Sequence, residues 1–279
     1  MPKNAKKVEK IFSCSGHEWI RFIKSEREFL KAIKKARIII THAGSGSTST
    51  MLRYKKKMIV VPRRKKYNEH YNDHQIDLAM VIDKERLGVA VYNVKYLEDA
   101  LRKIEKMSIK FKYFKSSDLK RFKKFLKNIG SGKKVCLPIT PGGHLSEAET
   151  FLDVFDNAFI VTLKRRYMQS LKNRKNIKKV YYVKDFNKNP FLNLLKSVYI
   201  VLKEKPKVIF STGAGIAIPI IYISKLLFRS KIIYIESFAQ AYHKSWSGRL
   251  IYPVADLFFV RWRSMLKVYG KKAKLLNYL

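Results

Sequence analysis

Val208-Ile209-Phe210-Ser211-Thr212-Gly213-Ala214-Gly215-Ile216-Ala217-Ile218-Pro219 carries the pattern that decides the fold. A short run of β-branched and aromatic residues fits a buried strand. A turn with two glycines follows, and an apolar stretch then opens a helix. The same order recurs twice. Val135-Cys136-Leu137-Pro138-Ile139 runs into Pro141-Gly142-Gly143-His144 and the helix start Leu145-Ser146-Glu147-Ala148. Ile38-Ile39-Ile40 runs into Thr41-His42-Ala43-Gly44-Ser45-Gly46-Ser47-Thr48. Further apolar runs at 58–62, 89–92, 159–161, 180–183, 232–235 and 257–260 alternate with helix-like segments. Buried strands alternating with helices predict an α/β protein with parallel sheets, in two Rossmann-like halves.

The stretch 108–133 breaks this rhythm. It is dense in Lys and Phe, has no convincing strand, and ends in Gly130-Ser131-Gly132. It predicts one basic amphipathic helix with a joint after it. The expected division is therefore 1–107, a joining segment 108–133, and 134–279.

Composition narrows the class. The chain has 279 residues, 60 Lys+Arg against 21 Asp+Glu, and a net charge of +39. With 47% hydrophobic residues it is not a disordered basic tail. Cys14 and Cys136 lie far apart with no CxxC spacing, which excludes a disulfide framework and a zinc ribbon and fits a reducing compartment. Three explanations compete for the charge: a general lysine bias, an anionic membrane surface, and nucleic acid. The even spread of lysine fits the first best, and no nucleic-acid module is recognisable. No apolar segment follows the basic start, and the longest apolar stretch, 216–228, is interrupted by Lys225. That is shorter than the roughly 20 residues of a spanning helix. The expectation is a cytoplasmic protein that is soluble or lies on a membrane. The segment 189–203 reads as a helix with Pro190 in its first turn, apolar on most faces. It is either a core helix or a membrane-surface helix, and its basic flanks suit anionic head groups.

Four motifs carry chemistry, each beside a plainer reading. In 41–48, Gly44 and Gly46 let the backbone approach a ligand, and Ser45, Ser47, Thr48 and the free N–H groups of the next helix suit a phosphate. The plain reading is a βα turn with a Ser cap. The segment 62–75 places Pro62, Arg63, Glu69, His70, Asn72, Asp73, His74 and Gln75 after a strand. Its carboxylates suit ribose or sugar hydroxyls and its amides offer further hydrogen bonds; the plain reading is a solvated loop with Asn72 or Asp73 capping a helix. Its His, Glu and Asp spacing fits no standard zinc pattern. In 141–144, Gly142 and Gly143 bring backbone close to a ligand, and His144 is a candidate general base for a sugar hydroxyl; the plain reading is a turn with a surface histidine. In 211–216, Gly213 and Gly215 repeat the strand–glycine–helix logic, and Glu236 ends a nearby strand, where it can orient a catalytic group or cap a loop.

Together these motifs resemble the family-28-type GT-B glycosyltransferases. The stretches HAGSGS (42–47), VVPRRKKYNEHYNDHQ (60–75), PGGH (141–144), STGAGIAIP (211–219), YIESFA (234–239) and SGRLIYPVADLFFVRW (247–262) carry the resemblance over roughly residues 25–265. The first half looks like the donor-nucleotide domain, the second like the membrane-associated acceptor subunit. The resemblance implies a GT-B fold, two Rossmann-like domains facing a cleft, with a shortened donor half. It implies inverting transfer of a sugar from a UDP-sugar to a polyprenyl-diphosphate-linked sugar, on a peripheral membrane surface and without a metal. N-acetylglucosamine is the expected sugar, with galactose, glucose and glucuronic acid as alternatives. His42, Gly44–Thr48, Pro62, Arg63 and Glu69–Gln75 would meet the nucleotide-sugar. His144 and Glu236 would be catalytic. Gly142, Gly143, Gly213 and Gly215 would line the acceptor side.

Three departures follow. The donor half comes first, whereas single-chain relatives begin with the acceptor half. Only 8–17, with Ser15-Gly16-His17, stands where relatives carry a strand and a Gly-Thr turn, so a second chain completing the donor half, or a non-catalytic scaffold, is the alternative. No N-terminal membrane anchor is visible.

Overall fold

A computed structural model describes residues 26–70, 73–109 and 116–276. The segment 8–17 and Asn72 lie outside the described residues. The chain divides into two compact units, Met1–Lys112 and Tyr113–Leu279.

In the first unit, β1 (Ile38–Thr41), β2 (Lys57–Val60) and β3 (Val89–Ala90) form a parallel sheet in the order β1-β2-β3. β2 runs through the core, with Met58, Ile59 and Val60 buried, whereas Ile40 of β1 is exposed. Ile59 packs with Val89, Val91, Leu97, Ala100 and Ile104. The last three lie on one face of helix Leu97–Lys106, at the i, i+3, i+7 spacing of an amphipathic helix. Lys56 sends Nζ to the Lys34 and Ala36 carbonyls at 2.6 and 2.9 Å, closing the end of helix Glu26–Lys35.

The second unit holds seven parallel strands: β4 (Val135–Pro138), β5 (Ala158–Leu163), β6 (Ile177–Val183), β7 (Val208–Ser211), β8 (Lys231–Ile235), β9 (Leu257–Val260) and β10 (Ala273–Leu275). Their order is β10-β9-β8-β7-β4-β5-β6. β4 and β7 are buried along their whole length. Strands covered on both faces read as continuous apolar runs, which is why they stood out in sequence. The chain leaves β4 toward one edge and returns to the other side at β7. That reversal, between β4 and β7, is where open α/β sheets bind ligands, beyond the carboxyl ends of the strands.

The basic helix of the expected joining segment is Ser116–Gly130. It belongs to the second unit, and the division between the units lies ahead of it. Phe122 and Leu126 enter the core, with the Phe122 ring 5.8 Å from Phe151 and 5.0 Å from Phe259. Gly130 ends the helix against Phe155; a Cβ there would stand 2.6 Å from Phe155 Cδ1.

Helix Pro190–Glu204 has an inverted pattern. Its inward stripe is Asn193, Ser197, Ile200, Val201 and Glu204. Phe191, Leu192, Leu194, Leu195, Tyr199 and Leu202 face solvent. The inward polar groups are satisfied: Asn193 Nδ2 donates to the Lys184 carbonyl at 2.6 Å and Ser197 Oγ donates to Asn193 Oδ1 at 3.3 Å. Glu204 accepts from Lys134 at 3.0 Å, Lys179 at 2.9 Å and the Tyr181 hydroxyl, which staples the helix end to the starts of β4 and β6. Burial raises the Glu204 carboxyl, but Tyr181, Lys179 and Lys134 outweigh it and hold it at about 2. No helix among the described residues is long and apolar enough to cross a membrane.

Candidate functional site

The glycine turns stand at the carboxyl ends of their strands. After β4, Gly142 turns with φ +98°, in open space, so its role is backbone conformation and not close packing. Helix Gly143–Glu149 begins at once and carries His144 on its first turn. After β7, Gly213 has φ +113° and lies against the His144 ring; a Cβ there would stand 2.6 Å from Cε1 and 2.9 Å from Nδ1. Ala214 follows at φ +87°, a conformation that costs a residue with a Cβ about 1–2 kcal/mol. The two loops are tied reciprocally. His144 Nδ1 donates to the Thr212 carbonyl at 2.8 Å, and Thr212 Oγ1 donates to the His144 carbonyl at 3.0 Å. A carbonyl only accepts, so Nδ1 carries the hydrogen and Nε2 of the neutral ring carries the lone pair. Burial pulls the imidazole below the ordinary histidine value, partly offset by the Thr212 bond, so the ring is neutral at pH 7. Gly215 has room for a side chain, with Phe186, Asn187 and Trp246 at ordinary contact distance.

Glu236 ends β8 and is 1% exposed. Its Oε1 accepts from Ser237 N at 2.9 Å, and its Oε2 from Ser245 Oγ at 3.0 Å and from the Tyr269 hydroxyl. A Cβ on Gly248 would collide with that carboxylate and with Tyr269. Burial raises the Glu236 carboxyl against the hydrogen bonds of Tyr269 and Ser245. With both oxygens engaged by its own unit, Glu236 is a residue that shapes the loop after β8. The motifs assign no separate role to Glu147, Thr212, Ser245, Gly248 or Tyr269. Glu147 left a trace: it shares an i, i+4 face with Phe151, which is buried, so it is a carboxylate on an apolar stripe.

In the first unit, the loops after β1 and β2 approach each other. Helix Ser45–Arg53 has Gly44 at its N-cap and no side-chain cap, so the Ser cap is not formed. Gly44 makes room for the His42 ring; a Cβ there would stand 2.7 Å from Nδ1. Partial burial, then Arg63 and His70, hold the His42 imidazole below its ordinary value. Thr48 is buried, and its Oγ1 has no hydrogen-bond partner. In the loop of Pro62, the polar side chains turn onto their own backbone. Gln75 is buried and its Oε1 accepts from Arg63 N at 3.0 Å. Glu69 accepts from Arg64 N at 3.1 Å, and Asp73 from Lys65 N at 2.8 Å. Asp73 stands at the N-cap of helix His74–Lys84 without capping it, since its carboxylate is spent on Lys65. The His70 and His74 rings meet edge to face at 4.7 Å. Among the described residues, no three His, Cys, Asp or Glu side chains gather as a metal-binding group.

Two parallel α/β units with glycine turns at their strand ends define a protein of Rossmann-like type. The comparisons also fall into two parts, the first of which runs on through helix Ser116–Gly130. Residues 2–129 match the glycosyltransferase family 28 C-terminal domain. Residues 156–279 match the family described as oligosaccharide biosynthesis protein Alg14 like. The two matches follow one another in the order that the motifs implied. Among curated proteins it is 39% identical over 84 residues to the UDP-N-acetylglucosamine transferase subunit ALG14 of Candida albicans, covering 28% of this chain and 38% of the relative. The subunits of the same name from Debaryomyces hansenii and Schizosaccharomyces pombe are 34% and 33% identical over 85 and 88 residues, each 29% of this chain and 36% and 42% of the relative. The chain thus spans well under half the length of these relatives. No solved structure matches it.

Proposed function

We propose that the chain is an inverting glycosyltransferase. It moves a sugar, N-acetylglucosamine in the first instance, from a UDP-sugar to a polyprenyl-diphosphate-linked sugar. The observation that carries this reading is His144: a neutral imidazole with Nδ1 fixed on Thr212, beside the β4–β7 switch point. Nε2 takes the proton of the acceptor hydroxyl as that oxygen bonds to the anomeric carbon. The bond from that carbon to the diphosphate oxygen breaks and UDP leaves with the electron pair. The turn 42–48 and the uncapped N-terminus of helix Ser45–Arg53 offer backbone N–H groups to the diphosphate, with no metal invoked. Glu69, Asp73 and Gln75 hold the loop that closes over the nucleotide.

The outward leucines of helix Pro190–Glu204 support a seat on an anionic membrane surface, where a lipid-linked acceptor resides. Helix Ala217–Phe228 adds Leu226, 82% exposed, and Lys196 and Lys203 lie among the leucines. The name of the curated relatives favours a second reading, a scaffold subunit that needs another chain for donor binding.

The test is transfer from UDP-N-acetylglucosamine to phytanyl-diphosphate-linked N-acetylglucosamine, with UDP binding followed by calorimetry. His144→Ala should lower turnover by about 10²–10⁴-fold while UDP binding is unchanged. Unaltered turnover overturns the base assignment. No UDP binding by the wild type supports the scaffold reading.

A further inference from the structure

Glu147 sits one turn beyond His144 on helix Gly143–Glu149 and is 3% exposed. Its Oε1 accepts from Ser237 Oγ at 3.1 Å and from Phe238 N at 2.8 Å, both on the loop after β8. Its Oε2 is buried and has no hydrogen-bond partner. The turn that carries His144 is therefore held from two neighbouring strands, by Thr212 after β7 and by Glu147 reaching the loop after β8.

The protonation of this carboxyl decides whether the second tie is comfortable. The charged and titratable groups around it are Arg261 beyond β9, Glu236 at the end of β8 and Tyr234 within β8. As a neutral acid, Glu147 accepts both donors on Oε1 and carries its proton on Oε2. As a carboxylate, it leaves one charged oxygen without a hydrogen-bond donor in a buried setting, where Glu236 opposes the charge and Arg261 offsets only part of the cost. Water must then reach Oε2, and the helix and the loop must part to admit it. Burial, reinforced by Glu236, outweighs Arg261 and the Phe238 and Ser237 bonds and places the carboxyl at about 7.

We infer that Glu147 is a positioning residue for His144: protonated, it clamps the His144-bearing helix to the loop after β8, and its ionisation releases the clamp. The inference rests on the reading of His144 as the base. Turnover then has two limits. It rises as His144 loses its proton, below the ordinary histidine value, and falls as Glu147 loses its own near neutrality.

The experiment measures kcat against pH for the full chain, with UDP-N-acetylglucosamine and the phytanyl-diphosphate acceptor. Wild type should decline by about tenfold per pH unit on the alkaline side. Glu147→Gln keeps the neutral shape and its accepting oxygen, so it should retain the optimum within about threefold and lose the alkaline decline. Glu147→Ala should lower kcat by about 10–100-fold at the optimum and converge with wild type on the alkaline side, where the clamp is already released, with KM for the UDP-sugar unchanged. An alkaline decline in Glu147→Gln like that of wild type overturns the inference, and so does wild-type kcat at the optimum in Glu147→Ala. His144→Ala, run alongside, separates the two claims. If it turns over normally, the base reading falls; if it is inactive while Glu147→Gln keeps the decline, only the Glu147 inference falls.

Discussion

Replacing Gly213 by alanine adds one methyl group at the point where the loop after β7 meets the His144 ring. Two costs follow from the geometry. At φ +113° a residue with a Cβ is strained by about 1–3 kcal/mol. The new methyl carbon would stand 2.6 Å from His144 Cε1, well inside van der Waals contact, so the ring must swing away. That movement breaks the 2.8 Å bond from Nδ1 to the Thr212 carbonyl, about 1 kcal/mol more. The sum is about 2–4 kcal/mol, which for a unit of this size lowers Tm by roughly 5–15 °C. Turnover should fall further than stability predicts, by about 10²-fold under conditions where the variant is fully folded, because the base is misplaced. Thermal unfolding by circular dichroism and the transfer assay below the lowered Tm read the two effects separately. A variant with wild-type Tm and wild-type turnover would refute the packing of His144 on Gly213. A lowered Tm with normal turnover would keep the packing and remove its catalytic meaning.

Three further outcomes are expected. Glu204→Gln should cost about 1–2 kcal/mol at pH 7, less than the full pKa displacement implies, because Lys134 and Lys179 are partly exposed. The folded carboxyl lies below its ordinary 4.5, so its stabilisation is present above that pH and vanishes as pH falls through about 2; urea midpoints of variant and wild type should converge there. Gln75→Ala leaves the Arg63 amide without its acceptor, and calorimetry should show UDP-sugar binding weakened by about 5–30-fold. Leu195→Glu with Leu202→Glu should leave Tm within about 1 °C, since both side chains already face solvent, and should lower binding to phosphatidylserine vesicles at least tenfold. Unchanged vesicle sedimentation would remove that helix from the membrane seat.

The central parallel strands were legible because burial on both faces leaves an unbroken apolar run, as in Ile232–Tyr234, and the glycine turns of β4 and β7 were legible because they follow those runs directly. What could not be read was the direction in which polar side chains turn. Glu236 looked like a carboxylate offered to a ligand, yet its partners Ser245 and Tyr269 lie 9 and 33 residues further on. Glu69, Asp73 and Gln75 looked like ligand contacts, and each also serves an amide in its own loop. Helix Pro190–Glu204 was recognisable by its length and its first-turn proline. Which side faces inward was set by the Lys184 carbonyl and by Lys134, Lys179 and Tyr181, none of which its periodicity encodes. The short strand Ala273–Leu275 escaped notice, since three residues with a central lysine make no pattern.

The ties that hold His144 all begin and end after Tyr113: Thr212 and Gly213 from one strand end, Ser237 and Phe238 from the next through Glu147. In genetic terms this geometry is heritable as a single cassette. A stop codon and a new start between the two units would sever one peptide bond and none of these hydrogen bonds. The gene can therefore be split into two cistrons, or two cistrons joined into one gene, without rebuilding the part of the protein that holds this histidine.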